Sequence, residues 1–89
     1  MRRRCPTISE LNAFLLSAQH LSFSKAAKEL FVTQSAISRH IAGLEAYLGH
    51  PLFMRRSHGL ALTHIGENYL KLVRPAMERH LARFYRNSS

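Results

Sequence analysis

Two long polar side chains and several small ones share one face of a predicted helix. Gln34 and Arg39 are the only long polar side chains on that sector, and Ser35, Ser38 and Ala42 keep the rest of it shallow. An amide and a guanidinium each present paired hydrogen-bonding groups, and a shallow face lets them approach the edge of a base closely. The pattern therefore favours recognition through hydrogen bonds.

The sequence offers few residues for catalysis or metal binding. Its six histidines are scattered, and none has the His-Glu-x-x-His spacing that holds zinc on a helix. Asp is absent, no glycine-rich phosphate loop is present, and no serine or histidine stands in a recognisable nucleophile motif. We expect no enzymatic activity, no metal site and no cofactor.

The charge balance indicates a polyanionic partner. Lys and Arg number 13 against 5 acidic residues, which gives a formal net charge of +8 over 89 residues. The sequence pI of about 10.9 lies in the range of nucleic-acid binders, although a soluble protein that is merely basic is the alternative. A single domain of this length is near the size at which one core becomes marginal, so that support from a second subunit is plausible.

The cysteine content and the N-terminus predict where the protein resides. Cys5 is the only cysteine, which excludes a disulfide within the chain and fits a reducing compartment. Residues 1–4 are basic, but no apolar run of signal-peptide or transmembrane length follows them. We expect a cytoplasmic protein that does not associate with membranes.

Capping residues predict two helices in the first third of the chain. Thr7 and Glu10 have the spacing of a capping box and begin the first helix. Its apolar residues fall on one face: Ile8, Leu11, Phe14, Leu15 and Ala18. Ser22 or Ser24 caps a second, short helix that ends near Leu30.

A third helix follows after a tight turn. Thr33 is a good N-cap, and Gly49 stops the helix after about Leu48. Four residues share its apolar face and are predicted to lie in the core: Ile37, Ile41, Leu44 and Leu48. Two helices joined so closely indicate a helix-turn-helix.

Two short apolar segments predict a β-hairpin, the wing. They cover residues 52–55 and 60–63 and flank the polar turn 56–59. Gly59 can adopt the positive φ that such a turn needs. The wing would follow the third helix directly.

A long fourth helix is predicted from the cap Thr63 to about Tyr85, with a kink at Pro75. Its apolar residues cover about half of the circumference, which is wider than one core requires. We expect one set to pack on its own domain: Ile65, Tyr69, Leu72 and Ala76. We expect a second set to pair with the same helix of another chain: Leu70, Met77, Leu81 and Phe84.

The order of these segments resembles the DNA-binding domain of LysR-type bacterial transcriptional regulators. Residues 22–30 (SFSKAAKEL) and 32–41 (VTQSAISRHI) are similar to the helix-turn-helix of that family. The pattern continues in register at Leu44-Glu45, Leu48-Gly49, Leu52-Phe53, Arg55, Leu62-Thr63 and Gly66. Residues 20–23 and 31–34 look most like the branch that contains glycine-cleavage and β-lactamase regulators.

The resemblance implies a mainly α fold and a division of the chain. Residues 6–63 would form the winged helix-turn-helix, with the helix-turn-helix itself at about 23–42, and residues 64–89 would form a linker helix that dimerises. The family also implies an effector-binding domain, which we expect to be absent from this chain. A small-molecule effector would therefore act only through that missing domain.

The resemblance also implies which residues contact DNA. Base reading falls on Gln34, Ser35, Ser38 and Arg39, and the chemistry agrees because Gln pairs with adenine and Arg with guanine. Many family members have Pro at position 35, so Ser35 is a departure that could add a hydrogen bond. Phosphate contacts fall on residues near helix N-termini: Ser22, Ser24, Lys25 and Thr33. The wing residues Arg55 and Arg56 would track the minor groove.

Each of these assignments has a simpler alternative. Gln34 could be a solvated helix start, the hydroxyls could serve only as caps, and Arg55 could be an exposed turn cation. The function that we expect is sequence-specific binding of duplex DNA by a homodimer, on an interrupted inverted repeat, to regulate transcription. An RNA-binding module, a protein-interaction bundle and a membrane-surface helix are the rival functions.

Overall fold

The computed structural model describes residues 5–87 of the chain, and the side chains of residues 5–79 within them. It contains four helices and a two-stranded antiparallel sheet in this part of the chain. The elements are α1 (Ile8–His20), α2 (Phe23–Leu30), α3 (Gln34–Leu48), β1 (Phe53–Arg56), β2 (Gly59–Leu62) and α4 (His64–Asn87). The fold is therefore mainly α, as predicted.

The predicted caps begin each helix. The Thr7 hydroxyl accepts from the Glu10 N–H at 3.1 Å, and the Glu10 carboxylate accepts from the Thr7 N–H at 3.0 Å, which completes the capping box of α1. Ser22, and not Ser24, is the N-cap of α2. Thr33 caps α3, and Gly49 ends it with a positive φ of 77°.

Two helices end without glycine. Leu21 follows α1 and Phe31 follows α2, and both adopt the left-handed conformation, with φ of 49° and 58°. Each N–H returns to a carbonyl of the preceding helix, Ser17 in the first case and both Ala27 and Lys28 in the second. The turns are tight because these bonds close the helix ends within a single residue.

The core lies where the three short helices meet. Its buried members are Ala13, Phe14, Ala26, Ala27, Ile37, Ile41, Leu44 and Leu52. The alanines let α1, α2 and α3 approach one another closely. Leu48, predicted to be in the core, is half-buried and packs against this cluster.

The Phe14 ring connects the helices to the rest of the molecule. Its centroid lies 5.7 Å from that of Phe53 in the wing and 5.5 Å from that of Tyr69 in α4. One aromatic cluster therefore fixes both the wing and α4 on the helical core.

Burial raises the pKa of the Tyr69 phenol, and the charges of Tyr47 and Glu10 raise it further, so the phenol stays protonated at neutral pH.

Each strand of the wing lies one residue nearer to the turn than predicted. The strands pair antiparallel from Phe53 opposite Leu62 to Arg56 opposite Gly59, so only residues 57 and 58 lie outside the ladder. Gly59 has a φ of 91°, as expected for this turn. Leu52 precedes β1 and is fully buried, because it serves as part of the core.

The expected division of the α4 faces holds for Tyr69, which packs on its own domain, but not for several other residues. Val73 and Met77 are buried within their own chain, and Leu70 packs against the core together with Tyr69. Leu72 is 70% exposed, and Ile65 and Ala76 are exposed as well. The buried side of α4 thus includes Val73 and Met77, and the helix contacts α1 and β2. The predicted Leu81 and Phe84 lie outside the residues whose side chains are described.

Candidate nucleic-acid interface

The first turn of α2 presents its hydroxyls and a cation to solvent. The Ser22 hydroxyl accepts from the Lys25 N–H at 3.1 Å, which satisfies one of the amides that a helix start leaves without an intrahelical partner. Its O–H hydrogen is not used in this bond and can still donate. Ser24 and Lys25 are exposed. The simpler interpretation of Ser22 as a cap is therefore correct, and it is compatible with a contact to an anion.

The predicted polar sector of α3 faces away from the core. Gln34, Ser35 and Arg39 are exposed and Ser38 is half-buried. The opposite face carries the buried residues Ile37, Ile41 and Leu44. The Thr33 hydroxyl accepts from the Ala36 N–H at 3.1 Å, so Thr33 acts as a cap in the same way as Ser22.

The starts of α2 and α3 meet the wing in an open groove of about 240 Å³, which we call the cap groove. It is lined by Leu21, Ser22, Phe23, Ser24, Gln34, Arg55, Arg56, Gly59 and Leu60. Five of the residues singled out in the sequence therefore share one concavity, although they come from three elements. Two guanidiniums, two hydroxyls and an amide are the groups that bind phosphates and base edges.

A second groove of about 260 Å³, the wing groove, runs between α3 and the sheet. Its lining residues are Phe23, Ser38, Ile41, Ala42, Glu45, Phe53, Arg55 and Leu60. Arg55 borders both grooves and Ser38 enters only this one. The polar sector of α3 and the wing are thus neighbours along the length of the helix.

Four predicted residues lie outside both grooves. Ser35 and Arg39 point outward from α3, while Lys25 and Thr33 are exposed near the starts of their helices. Their exposure places them on the surface without assigning them a partner. Among the described residues, no group of three or more histidine, cysteine or acidic side chains is arranged to hold a metal ion.

The sequence reasoning missed the role of Glu45. Its carboxylate Oε2 accepts from the Leu52 N–H at 2.7 Å, and the side chain is half-buried at the wing groove. The family pattern marks the pair Leu44-Glu45, but neither that pattern nor spacing reveals a bond to a residue seven positions further on.

Phe31 is the second residue whose environment the pattern did not reveal. It is 94% exposed in the turn between α2 and α3, whereas Phe14 is completely buried.

Among the described helices, none has the length and apolar character of a membrane-spanning segment.

Comparisons with known proteins agree with this geometry. Residues 8–67 match the model of the bacterial regulatory helix-turn-helix proteins of the lysR family. The chain is 49% identical over 69 residues to the glycine cleavage system transcriptional activator of Escherichia coli K12, which covers 78% of the chain and 23% of that protein. It is 46% identical over 79 residues to the transcriptional activator AmpR of Citrobacter freundii, which covers 89% of the chain and 27% of that protein. The chain thus spans about a quarter of these relatives.

Solved structures with the same fold include complexes with DNA. The CbnR DNA-binding domain in a complex with DNA has a TM-score of 0.78 and 33% identity, covering 88% of this chain and 90% of that one. The BenM DNA-binding domain in a complex with catB site 1 DNA has a TM-score of 0.80 and 27% identity, covering 93% of this chain and 97% of that one.

Proposed function

Because the chain belongs to the lysR family of bacterial regulatory helix-turn-helix proteins, we propose that it is the sequence-specific DNA-binding part of a transcriptional regulator and is not an enzyme. Residues 6–63 form the winged helix-turn-helix, with its helix-turn-helix at about 23–42, and the segment 64–89 contains the linker helix α4 (His64–Asn87). A small-molecule effector acts through a domain outside these residues. The protein works in the bacterial cytoplasm, because its target is chromosomal DNA.

The cap groove is the observation that carries this proposal. It joins Gln34 at the start of α3 to two serines of α2 and two arginines of the wing, on a chain with a net charge of +8. A recognition helix flanked by a phosphate-binding helix start and a cationic wing fits the major groove, its backbone and the adjacent minor groove of one duplex. Binding by such a face is expected to fall steeply as salt rises.

Each predicted residue has a role in this proposal. The α3 sector reads bases through Gln34, Ser35, Ser38 and Arg39. The helix starts hold phosphates through Ser22, Ser24, Lys25 and Thr33, with the capping hydroxyls donating their remaining hydrogen. Arg55 and Arg56 enter or border the minor groove.

We further propose that the protein binds as a homodimer through α4, on an interrupted inverted repeat. The own-domain burial of Met77 leaves little of that side chain for a partner, so the pairing surface is the exposed flank of α4 with Ile65, Leu72 and Ala76. Leu81 and Phe84, which the sequence predicts to take part in pairing, lie outside the residues whose side chains are described. Two-fold symmetry then places two recognition helices on separated half-sites.

RNA binding fits the surface less well. Single-stranded RNA is usually held by several exposed aromatic rings, whereas Phe14 is buried and Phe23 and Phe53 pack against the core. Among the side chains that the structure describes, Phe31 is the one exposed phenylalanine ring.

A competition gel shift tests the proposal. Labelled duplex DNA selected from genomic fragments is challenged with unlabelled random duplex, structured RNA and anionic vesicles, at several salt concentrations. We expect random duplex to compete more strongly than RNA or vesicles but less strongly than unlabelled selected duplex, and log K to fall linearly with log salt. Preferential competition by RNA or by vesicles, or binding that salt leaves unchanged, would contradict the proposal.

A further inference from the structure

A carboxylate in the wing groove is unfavourable for a surface that binds DNA. Glu45 lines this groove together with Ser38 and Arg55, in a chain with only five acidic residues. Its charge would repel the phosphates that approach the neighbouring guanidinium. The hydrogen bond that this carboxylate makes gives it a structural role that can offset the repulsion.

The carboxylate of Glu45 holds the base of the wing. Oε2 accepts from the Leu52 N–H at 2.7 Å, a charge-assisted bond from α3 to the residue before β1. The Leu52 carbonyl in turn accepts from the Thr63 N–H at 3.0 Å. The Thr63 hydroxyl donates to the Pro51 carbonyl at 2.8 Å and accepts from the Gly66 N–H at 2.9 Å. Both ends of the hairpin are therefore bound at one place.

Close packing leaves the hairpin little freedom at this place. Leu52 is fully buried and Gly66 is buried as well. A Cβ at Gly66 would collide with the Leu52 carbonyl oxygen and would come within 3.0 Å of the Leu62 side chain. Leu52 is therefore held on several sides, and Glu45 supplies the contact to it from α3.

We propose that Glu45 is a positioning residue for DNA binding: it sets the wing over the recognition helix so that Arg55 reaches DNA. This inference rests on the proposed function. Arg55 lies three residues beyond Leu52 along β1 and borders both grooves. A small change in the backbone direction at Leu52 therefore displaces the Arg55 guanidinium relative to Gln34 and Ser38.

Three substitutions of Glu45 separate the effect of its side-chain length from the effect of its charge. Glu45→Gln keeps the length and an acceptor oxygen but removes the charge, Glu45→Asp keeps the charge but is one methylene shorter, and Glu45→Ala removes both. Each is measured alone and with Arg55→Ala on the selected operator, across a salt series and well below its melting temperature. Glu78→Gln is the matched control, because Glu78 is an exposed carboxylate on α4.

We expect Glu45→Gln to bind at least as tightly as the wild type and to keep the full contribution of Arg55. In that background, as in the wild type, Arg55→Ala lowers the salt slope by about one. Glu45→Asp and Glu45→Ala should each lower the affinity for DNA roughly tenfold, because Arg55 then no longer makes its charge-assisted contact with DNA. Adding Arg55→Ala to either variant should not change the salt slope further.

A role based on charge alone predicts a different order. Glu45→Ala and Glu45→Gln would then both bind more tightly than the wild type, and Glu45→Asp would equal it; this result would overturn the proposal. The comparison of Gln with Asp decides even where the alanine variant melts too low to be measured. A wild type that does not prefer the selected duplex would instead contradict the proposed function, so the two failures are distinguishable.

Discussion

At the scale of single residues, Ser17 is an unusual member of the core. Its side chain is fully buried on α1, and its hydroxyl has no hydrogen-bond partner among the described residues. An unsatisfied buried hydroxyl costs free energy that a methyl group does not.

We therefore expect Ser17→Ala to leave the free energy of unfolding unchanged or to raise it by about 1 kcal/mol. Thermal and urea unfolding measure the change, with Ser35→Ala as an exposed control. A loss of stability larger than that of the control would mean that the hydroxyl is bonded in solution.

The residue types on α3 and in the wing could be predicted, but some contacts could not. Gln34 and Arg55 were identified because a long polar side chain among small ones, or an arginine in a short hairpin, is visible in the sequence. The bond from Glu45 to Leu52 was not, because it depends on how α3 and the wing cross. Caps such as Thr33 were predictable since they bond within three residues of themselves.

At the scale of elements, the close packing of α4 against the residues that flank the wing depends on Gly66. This glycine lies against the Leu52 carbonyl, and an added Cβ has no room there. Gly49 is a useful contrast, because a Cβ at that position meets nothing within 4 Å and only its φ of 77° disfavours a side chain.

We expect Gly66→Ala to lower the free energy of unfolding by about 2–3 kcal/mol through overpacking. Gly49→Ala should cost only about 1 kcal/mol, from its left-handed backbone. Urea unfolding of both variants provides the comparison. Equal losses would show that α4 can move away from Leu52 at little cost.

The elements themselves were predictable to within about two residues, whereas the faces of α4 were not. The helix has apolar residues over a wide arc, so periodicity alone could not rank Val73 against Leu72. The position of α4 in the fold decides this, because it buries Val73 and leaves Leu72 70% exposed. The first strand of the wing begins one residue later than predicted because Leu52, although apolar, belongs to the core and not to the ladder.

At the scale of the whole molecule, the exposed flank of α4 is where we expect two chains to meet. Leu72→Glu should convert a dimer to a monomer in sedimentation at tens of micromolar, because it puts a charge in an apolar contact. Lys71→Glu is the control, since Lys71 is exposed on the charged side of α4. The monomeric variant should lose its preference for a full operator over a half-site. A Leu72→Glu chain that still sediments as a dimer would place the pairing surface elsewhere.

Base readout by the first turn of α3 is the central claim, and one measurement tests it most directly. Fragments are selected from random duplex DNA, and the affinities of the wild type, Gln34→Ala and Gln19→Ala are measured on the selected site and on a scrambled one. Gln19 is an exposed glutamine on α1. We predict that Gln34→Ala loses about 1–3 kcal/mol on the selected site and much less on the scrambled one, while Gln19→Ala binds both like the wild type. Equal losses of Gln34→Ala on the two sequences, or no loss on either, would contradict the account.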